Sequence, residues 1–476
     1  MRKLVILVLI SALLTTTFAQ SRAAAPARSF IPYEEARPIL EAMGETLSAE
    51  LKAVESPAAW MRWAEQRDRD IRARLVQGDV DSLVNLMLFG TSFTARPRIT
   101  LAALTEFARK VSAAQAAGSP EAVAFAQALQ DRAMDLINAM AQPSDNERVI
   151  YARRLIESQG IDIKTAAGRE AAKSYLIKNL SRVVGENESY TRILESARVM
   201  GDASGEFVER SKLFRDRGLS SDTSLMPNFA IEKSLAALKS RGLLAAASVR
   251  RVAIIGPGLD FTDKQDGYDF YPQQTIQPFA VIDSLLRLGL AKQNDLGVKT
   301  LALSPRVNDH LAQARARAAR NAAYAVQLPL DPEWSEELKA YWSRFGDQVG
   351  APTTPVKVPA GLGQLKVRAV SLSPAVVRMI EPHDLNVVLQ RMSLPPAEQF
   401  DLVIATNILV YYDVFEQSLA LANIERMLRP GGLLLSNNAL LELPGSGVRS
   451  VGYETAVYSN RAGDGDHIVW YQRQSK

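Results

Sequence analysis

Three short, largely apolar runs constrain the fold more than any other feature of this chain. They are Val252–Ile255, the Phe400–Ala405 stretch, broken only by Asp401, and Gly432–Leu435. Each is too short for a buried helix, and none alternates like a half-exposed strand. A strand that is apolar on both sides needs cover on both sides, which a parallel sheet between helical layers provides. Helical periodicity over 276–290, 311–325 and 415–428 falls between these runs, and Lys299–Leu303 reads as a further strand. Val367–Val370 and Val376–Ile380 are β-rich, and 352–363 is a Pro/Gly-rich loop. Tyr453–Tyr458 and His467–Tyr471 read as a closing hairpin around Gly463-Asp464-Gly465. The expected class is an α/β doubly wound, mostly parallel sheet with a C-terminal antiparallel hairpin.

Upstream the texture is helical and Ala-rich. Ser56-Pro57 and Ser119-Pro120 each place a capping hydroxyl before a proline at the first helical position. Ser144 with Glu147 fits a capping box. The Gly90-Thr91-Ser92 stretch breaks the pattern and reads as a connection. A chain of 476 residues exceeds one core, and the change of period divides it into an all-α helical domain over 20–240 and an α/β domain over 241–476. Residues 1–19 have the form of a secretory signal: Arg2 and Lys3, an apolar run of signal-core length, then Thr17 and Ala19 before a cut. The protein is therefore expected to be exported, periplasmic or secreted, with an uncleaved membrane anchor as the alternative and no other membrane span.

Charge and composition exclude several functions. With 56 Lys+Arg against 52 Asp+Glu and no evident basic patch, nucleic acid is not an expected partner. The absence of cysteine removes disulfides and thiolate chemistry, and three scattered histidines do not suggest a metal site.

In an open α/β sheet, ligands bind beyond the carboxyl ends of the strands. Gly256-Pro257-Gly258 follows the first buried strand directly. The next loop carries Asp260, Asp263, Asp266 and Asp269 among Tyr268, Phe270 and Tyr271, and reads either as a solvated acidic loop or as a lid over a ligand. Phe400-Asp-Leu-Val-Ile-Ala-Thr406-Asn407-Ile-Leu-Val-Tyr-Tyr-Asp413, a helix, then Met427-Leu-Arg-Pro-Gly-Gly-Leu-Leu-Leu435 resembles the class I S-adenosylmethionine-dependent methyltransferases. The Asn-Ile-Leu-Val-Tyr-Tyr variant is similar to the chemotaxis-receptor methyltransferase branch. The resemblance covers about residues 252–472.

That resemblance implies S-adenosylmethionine as cofactor, methyl transfer to an acceptor it does not name, and a set of binding residues. Gly256, Pro257 and Gly258 would form the turn at the methionine part, with Asp260 beside it. Asp384 and Leu385 would face adenine, while Thr406 and Asn407 would flank the reacting methyl group. Three positions depart from the family pattern. The third glycine of the turn is replaced, with Asp260 nearby. Ile254 stands two before Gly256 where an acid is usual, and Ala302 lies where an acid for the ribose hydroxyls is expected. The 260–269 aspartates are candidates to compensate. No catalytic base is assigned; His383, Tyr411 and Tyr412 are the reachable groups. The alternative is an exported, non-catalytic binding or scaffold protein with a degenerate site and a partner held by the helical half. A nicotinamide-dependent oxidoreductase fits less well, because Phe261 replaces the third glycine of that motif.

Overall fold

The computed structural model describes residues 27–99, 103–104, 107, 119–200, 217–262, 268–437, 439–461 and 464–475, with backbone only over 187–200. The signal-like segment, Asp263, Asp266 and Gly463 lie outside the described residues. In chain order, a short strand β1 (Arg28–Phe30) precedes α1 (Tyr33–Met43), α2 (Ala49–Lys52) and the long α3 (Pro57–Phe89). Then come α4 (Pro120–Ala141), α5 (Glu147–Ser158), α6 (Ala166–Met200) and α7 (Met226–Ser240). The α/β half runs β2 (Arg251–Ile255), α8 (Gln277–Arg287), β3 (Gly297–Ala302), α9 (Pro305–Ala318), β4 (Tyr324–Pro329) and α10 (Glu336–Arg344). It continues through β5 (Gly350–Thr353), β6 (Val367–Leu372), α11 (Pro374–Arg378), β7 (Ile380–Asp384), β8 (Gln390–Met392) and β9 (Phe400–Ala405). It closes with α12 (Val414–Met427), β10 (Leu428–Ser436), β11 (Val448–Val457) and β12 (Gly465–Arg473).

The central sheet has seven strands in the order β11-β12-β10-β9-β2-β3-β7. The five from β10 to β7 are parallel, and β11 and β12 form the antiparallel closing hairpin. Successive side chains of each central strand enter different cores. Val252, Ile254, Leu402 and Ile404 face a core shared with Phe229 and Leu235 of α7 and Phe279 and Ile282 of α8. Ala253, Ile255, Val403 and Ala405 face the opposite core, with Trp60 and Trp63 of α3 and Leu419 and Ile424 of α12. This double burial is why the sequence shows runs rather than alternation.

The packing crosses residue 240, where the change of period lay. Helix α7 belongs to the core beneath the sheet, α1 and the first half of α3 cover its other face, and β1 pairs with β8. The second half of α3 (Leu83, Val84, Met87), with Leu129, Ile137, Ile156 and Leu176 of α4 to α6, builds a third core, which Phe261 of the α/β half also enters.

Several local expectations shift. Ser56 and Ser119 cap their helices through bonds from Ala59 and Ala122. The cap of α5 is Asn146, which accepts from Arg148 and Val149, while Ser144 accepts from the Asn146 amide. The helix expected over 311–325 is α9, already begun at Pro305, and its tail is strand β4. Strand β6 is not in the main sheet; it lies between β4 and β5 in a small antiparallel sheet inserted before β7. Val376 and Val377 sit in α11 because Ser373 caps a helix there, and the strand starts at Ile380.

Candidate functional site

A cleft of about 900 Å³, its open mouth included, lies at the carboxyl ends of β2, β3 and β9. Ile255, Gly256, Gly258, Leu301, Ala302, Leu303, Leu385, Thr406 and Asn407 contribute to its wall. Five of the eight residues expected from sequence therefore meet in one place: Gly256, Gly258, Leu385, Thr406 and Asn407. Pro257 is buried in the turn between its glycines. Gly256 and Gly258 both have positive φ (62° and 73°). A Cβ on Gly256 would lie 2.2 Å from Ile408 Cδ1, and one on Gly258 would lie 2.6 Å from Thr223 Cβ. Glycine is required here by the backbone conformation and by the chain's own packing.

The far wall is polar. Gln277 donates to the Thr406 hydroxyl at 2.9 Å. Asn407, also at positive φ (58°), donates its backbone amide to Asn437 Oδ1 at 2.8 Å, and Asn437 Nδ2 donates back to its side-chain oxygen. Arg74 of α3 donates to the Tyr411 carbonyl at 2.9 Å, and its guanidinium lies over the Tyr412 ring. Tyr411 and Tyr412 both line the cleft, and burial pushes the Tyr412 hydroxyl well above its ordinary value, so it stays protonated. His383 does not line the cleft; it faces Glu381 on β7.

Two expected residues are placed elsewhere. Asp384 lies outside the cleft wall and pairs with Arg28 and Arg72, tying β1 and α3 to the sheet edge. Asp260 is buried away from the cleft wall and accepts from the Tyr271 hydroxyl (2.8 Å) and the Gln274 amide (3.0 Å). The described part of its loop is tied down. Asp269 accepts from the amides and hydroxyls of Thr91 and Ser92, and Arg148 donates to the carbonyls of Asp260, Phe261 and Tyr271. Neither aspartate replaces the missing acids, and neither belongs to a lid. Ile254 is itself fully buried on the core side of β2.

The sequence reading missed the segment Leu219–Ser224, which supplies six residues of the wall. Its Ser221 carbonyl accepts the Leu259 amide at 2.7 Å, and Leu219 donates to the Arg74 carbonyl at 3.0 Å. Among the described residues lining the cleft, Asp222 carries the only charged side chain. The one signal was a run of short hydroxyl and acidic side chains before α7, which also describes a plain loop.

A second hollow, about 1760 Å³ with its mouth, lies beyond the Tyr411–Asp413 turn, between α1 to α3 and the start of α12. Trp63, Phe415, Met43 and Leu51 form apolar wall, and Arg67 pairs with the buried Glu416 at 2.6 Å. Among the described residues no helix is long and apolar enough to cross a membrane, and no group of three or more His, Cys, Asp or Glu could hold a metal ion.

Residues 349–436 match the family described as "Methyltransferase domain", a stretch running from β5 through β10. No curated protein matches the chain. Among solved structures, the N-methyltransferase NodS from Bradyrhizobium japonicum WM9 is similar at 14% identity, covering 52% of this chain and 98% of that one, with a TM-score of 0.26. The glycopeptide N-methyltransferase MtfA, complexed with S-adenosyl-L-methionine, is similar at 13% identity over 53% of this chain and 96% of its own, with a TM-score of 0.26. The mitomycin 7-O-methyltransferase MmcR is similar at 13% identity over 87% of this chain and 99% of its own, with a TM-score of 0.28. The family match supplies β7, β9 and β10 together with the Asn407 and Tyr411 stretch, and the parallel sheet order extends the same unit back to β2. Within the C-terminal half, residues 349–436 therefore match a methyltransferase domain.

Proposed function

We propose that the protein binds S-adenosylmethionine in the cleft at the ends of β2, β3 and β9 and transfers its methyl group to an acceptor. The carrying observation is the convergence of Gly256, Gly258, Leu385, Thr406 and Asn407 on one cleft beside the matched domain. The lining suits such a ligand. Leu301, Leu303, Leu385 and Val387 offer an apolar slot for a flat heterocycle, and Ser220, Ser221, Thr223 and Gln277 offer hydroxyl and amide partners. The single carboxylate, Asp222, suits a ligand of net positive charge. The bound cofactor supplies an electrophilic methyl carbon, so the chain has to align an acceptor and keep water out rather than form a covalent intermediate. Thr406, Asn407 and Tyr411 stand where that alignment is set. Tyr412, held protonated, is a donor and not a base.

Calorimetric titration of the purified protein with S-adenosylmethionine tests this reading. A saturable heat at micromolar to millimolar ligand supports it. No heat and no shift in melting temperature at millimolar ligand would return the protein to the non-catalytic scaffold reading. Export is a separate part of the proposal and rests on the form of residues 1–19. Amino-terminal sequencing of the protein from fractionated cells should begin at Gln20, and a full-length chain in the cytoplasmic fraction would overturn it.

A further inference from the structure

We infer that the second hollow, beyond the Tyr411–Asp413 turn, holds the methyl acceptor, and that this acceptor is an amine carried on an apolar body. The inference names the substrate class of the proposed transfer and rests on the cofactor reading. Ligands of an open α/β sheet bind beyond the carboxyl ends of its strands, and the hollow lies on that rim. Asp413, Val414, Phe415 and Glu416 follow β9, and Leu441 and Leu443 follow β10. Tyr412 lines the cofactor cleft and its neighbour Asp413 lines the hollow. Consecutive Cα atoms stand about 3.8 Å apart, so the two spaces share one stretch of wall.

The lining selects the class of ligand. Met43, Leu47, Leu51 and Leu443 are only partly buried against the core, and Leu441 is 43% exposed. With the buried Trp63 and Phe415 they form an apolar wall still in contact with water, which an apolar body would cover favourably. Among the described residues lining the hollow, the acids Glu50, Asp70, Asp413 and Glu416 face a single base, Arg67. Arg67 is engaged by Glu416 at 2.6 Å. Asp70 accepts from Gln66 Nε2 at 2.8 Å, and Asp413 accepts from the Glu416 amide at 2.9 Å. A carboxylate offers about four lone-pair directions, so both can take further donors. An ammonium brings donors and the opposite charge, and aromatic rings attract it further. A ligand carboxylate would be repelled. The transfer balances: the ammonium first gives one proton to water, and the nitrogen lone pair then bonds to the methyl carbon. The carbon–sulfur electron pair stays on sulfur, which leaves S-adenosylhomocysteine and a methylated ammonium.

The test uses the full chain saturated with S-adenosylhomocysteine and three ligands built on one ring system: tryptamine, neutral 3-ethylindole and anionic indole-3-propionate. In calorimetric titration the wild type is expected to bind tryptamine about tenfold or more above the other two, the step from one charge-assisted hydrogen bond. The double variant Asp70→Asn with Asp413→Asn keeps the size of both side chains, and asparagine still caps α12. It should weaken tryptamine about 10- to 100-fold while leaving S-adenosylhomocysteine within about twofold. Leu441→Lys, at an exposed position, should weaken tryptamine about tenfold or more by placing a like charge at the wall. Retained S-adenosylhomocysteine binding reports that each variant is folded. With S-adenosylmethionine, the wild type should convert tryptamine to a product heavier by one methylene in mass spectrometry, and both variants should yield much less. Equal binding of the three ligands, tryptamine binding untouched by either variant, or no methylated amine overturns the inference and leaves the cofactor reading intact. A wild type that binds neither S-adenosylmethionine nor S-adenosylhomocysteine overturns both.

Discussion

Aspartates 222, 260, 269 and 384 show how far a residue's type is from its role. Asp269 and Asp260 stand in an acidic, aromatic loop that suggests a lid, yet both are consumed by hydrogen bonds that fasten the loop. Asp384 is spent on two arginines, and the acid in the cleft comes from an unremarkable stretch. At this scale Gly258 gives a sharp expectation. Its φ of 73° and the 2.6 Å approach of Thr223 mean that Gly258→Ala strains the backbone and pushes segment 219–224 outward. A loss of about 1–3 kcal/mol in denaturant unfolding is expected, with weaker cofactor binding; an unchanged midpoint would contradict the packing. His310 gives a pH expectation. Burial, aided by the charges of Arg317 and Arg306, holds its imidazole down at about 4 while it bonds to the Tyr324 hydroxyl at 2.8 Å. The unfolded chain takes up this proton near pH 6.5, so the unfolded state binds more protons between about 4 and 6.5. This residue's contribution to stability should rise with pH through that window. Melting curves from pH 4 to 7 for His310→Gln should show a shallower slope than the wild type.

Among the elements, α3 carries the most structural weight. Over 33 residues it places Trp60, Trp63 and Ile71 on the sheet and Leu83, Val84 and Met87 in the helical core. Its segment Glu65–Arg74 is densely charged, and Arg67, Arg72 and Arg74 all reach into the α/β half. Burial raises the carboxyl of Glu416 above its usual range, opposed by Arg67. Arg67→Ala would leave that buried acid without its guanidinium and should cost about 3 kcal/mol. Adding Glu416→Gln should recover part of the loss. A double variant no more stable than Arg67→Ala in urea unfolding would show that the pair is not coupled.

At the scale of the molecule, the two periodicities do not mark two independently packed bodies. Phe229, Leu235 and Leu238 of α7 fill the core beneath the sheet, while Trp60 and Trp63 cover the opposite face. A fragment beginning at Gly242 would expose both surfaces. It is expected to bind hydrophobic dye and to melt without a cooperative transition, whereas the chain from Ala27 should melt as one unit. A sharp transition in the fragment would refute this. The central strands, the glycine turn and the hairpin were legible because double burial, positive φ and tight turns each demand particular residue types locally. Of the inserted β4-β6-β5 sheet only the middle strand was legible, as the β-rich Val367–Val370, since its two edge strands of mixed polarity leave no run to read. Sequence alone pointed to a doubly wound α/β domain and to five residues that line its cleft. Tertiary structure decided which acid lines the cleft, because a carboxylate's place depends on the donors that distant segments bring to it, and local residue order does not encode those partners.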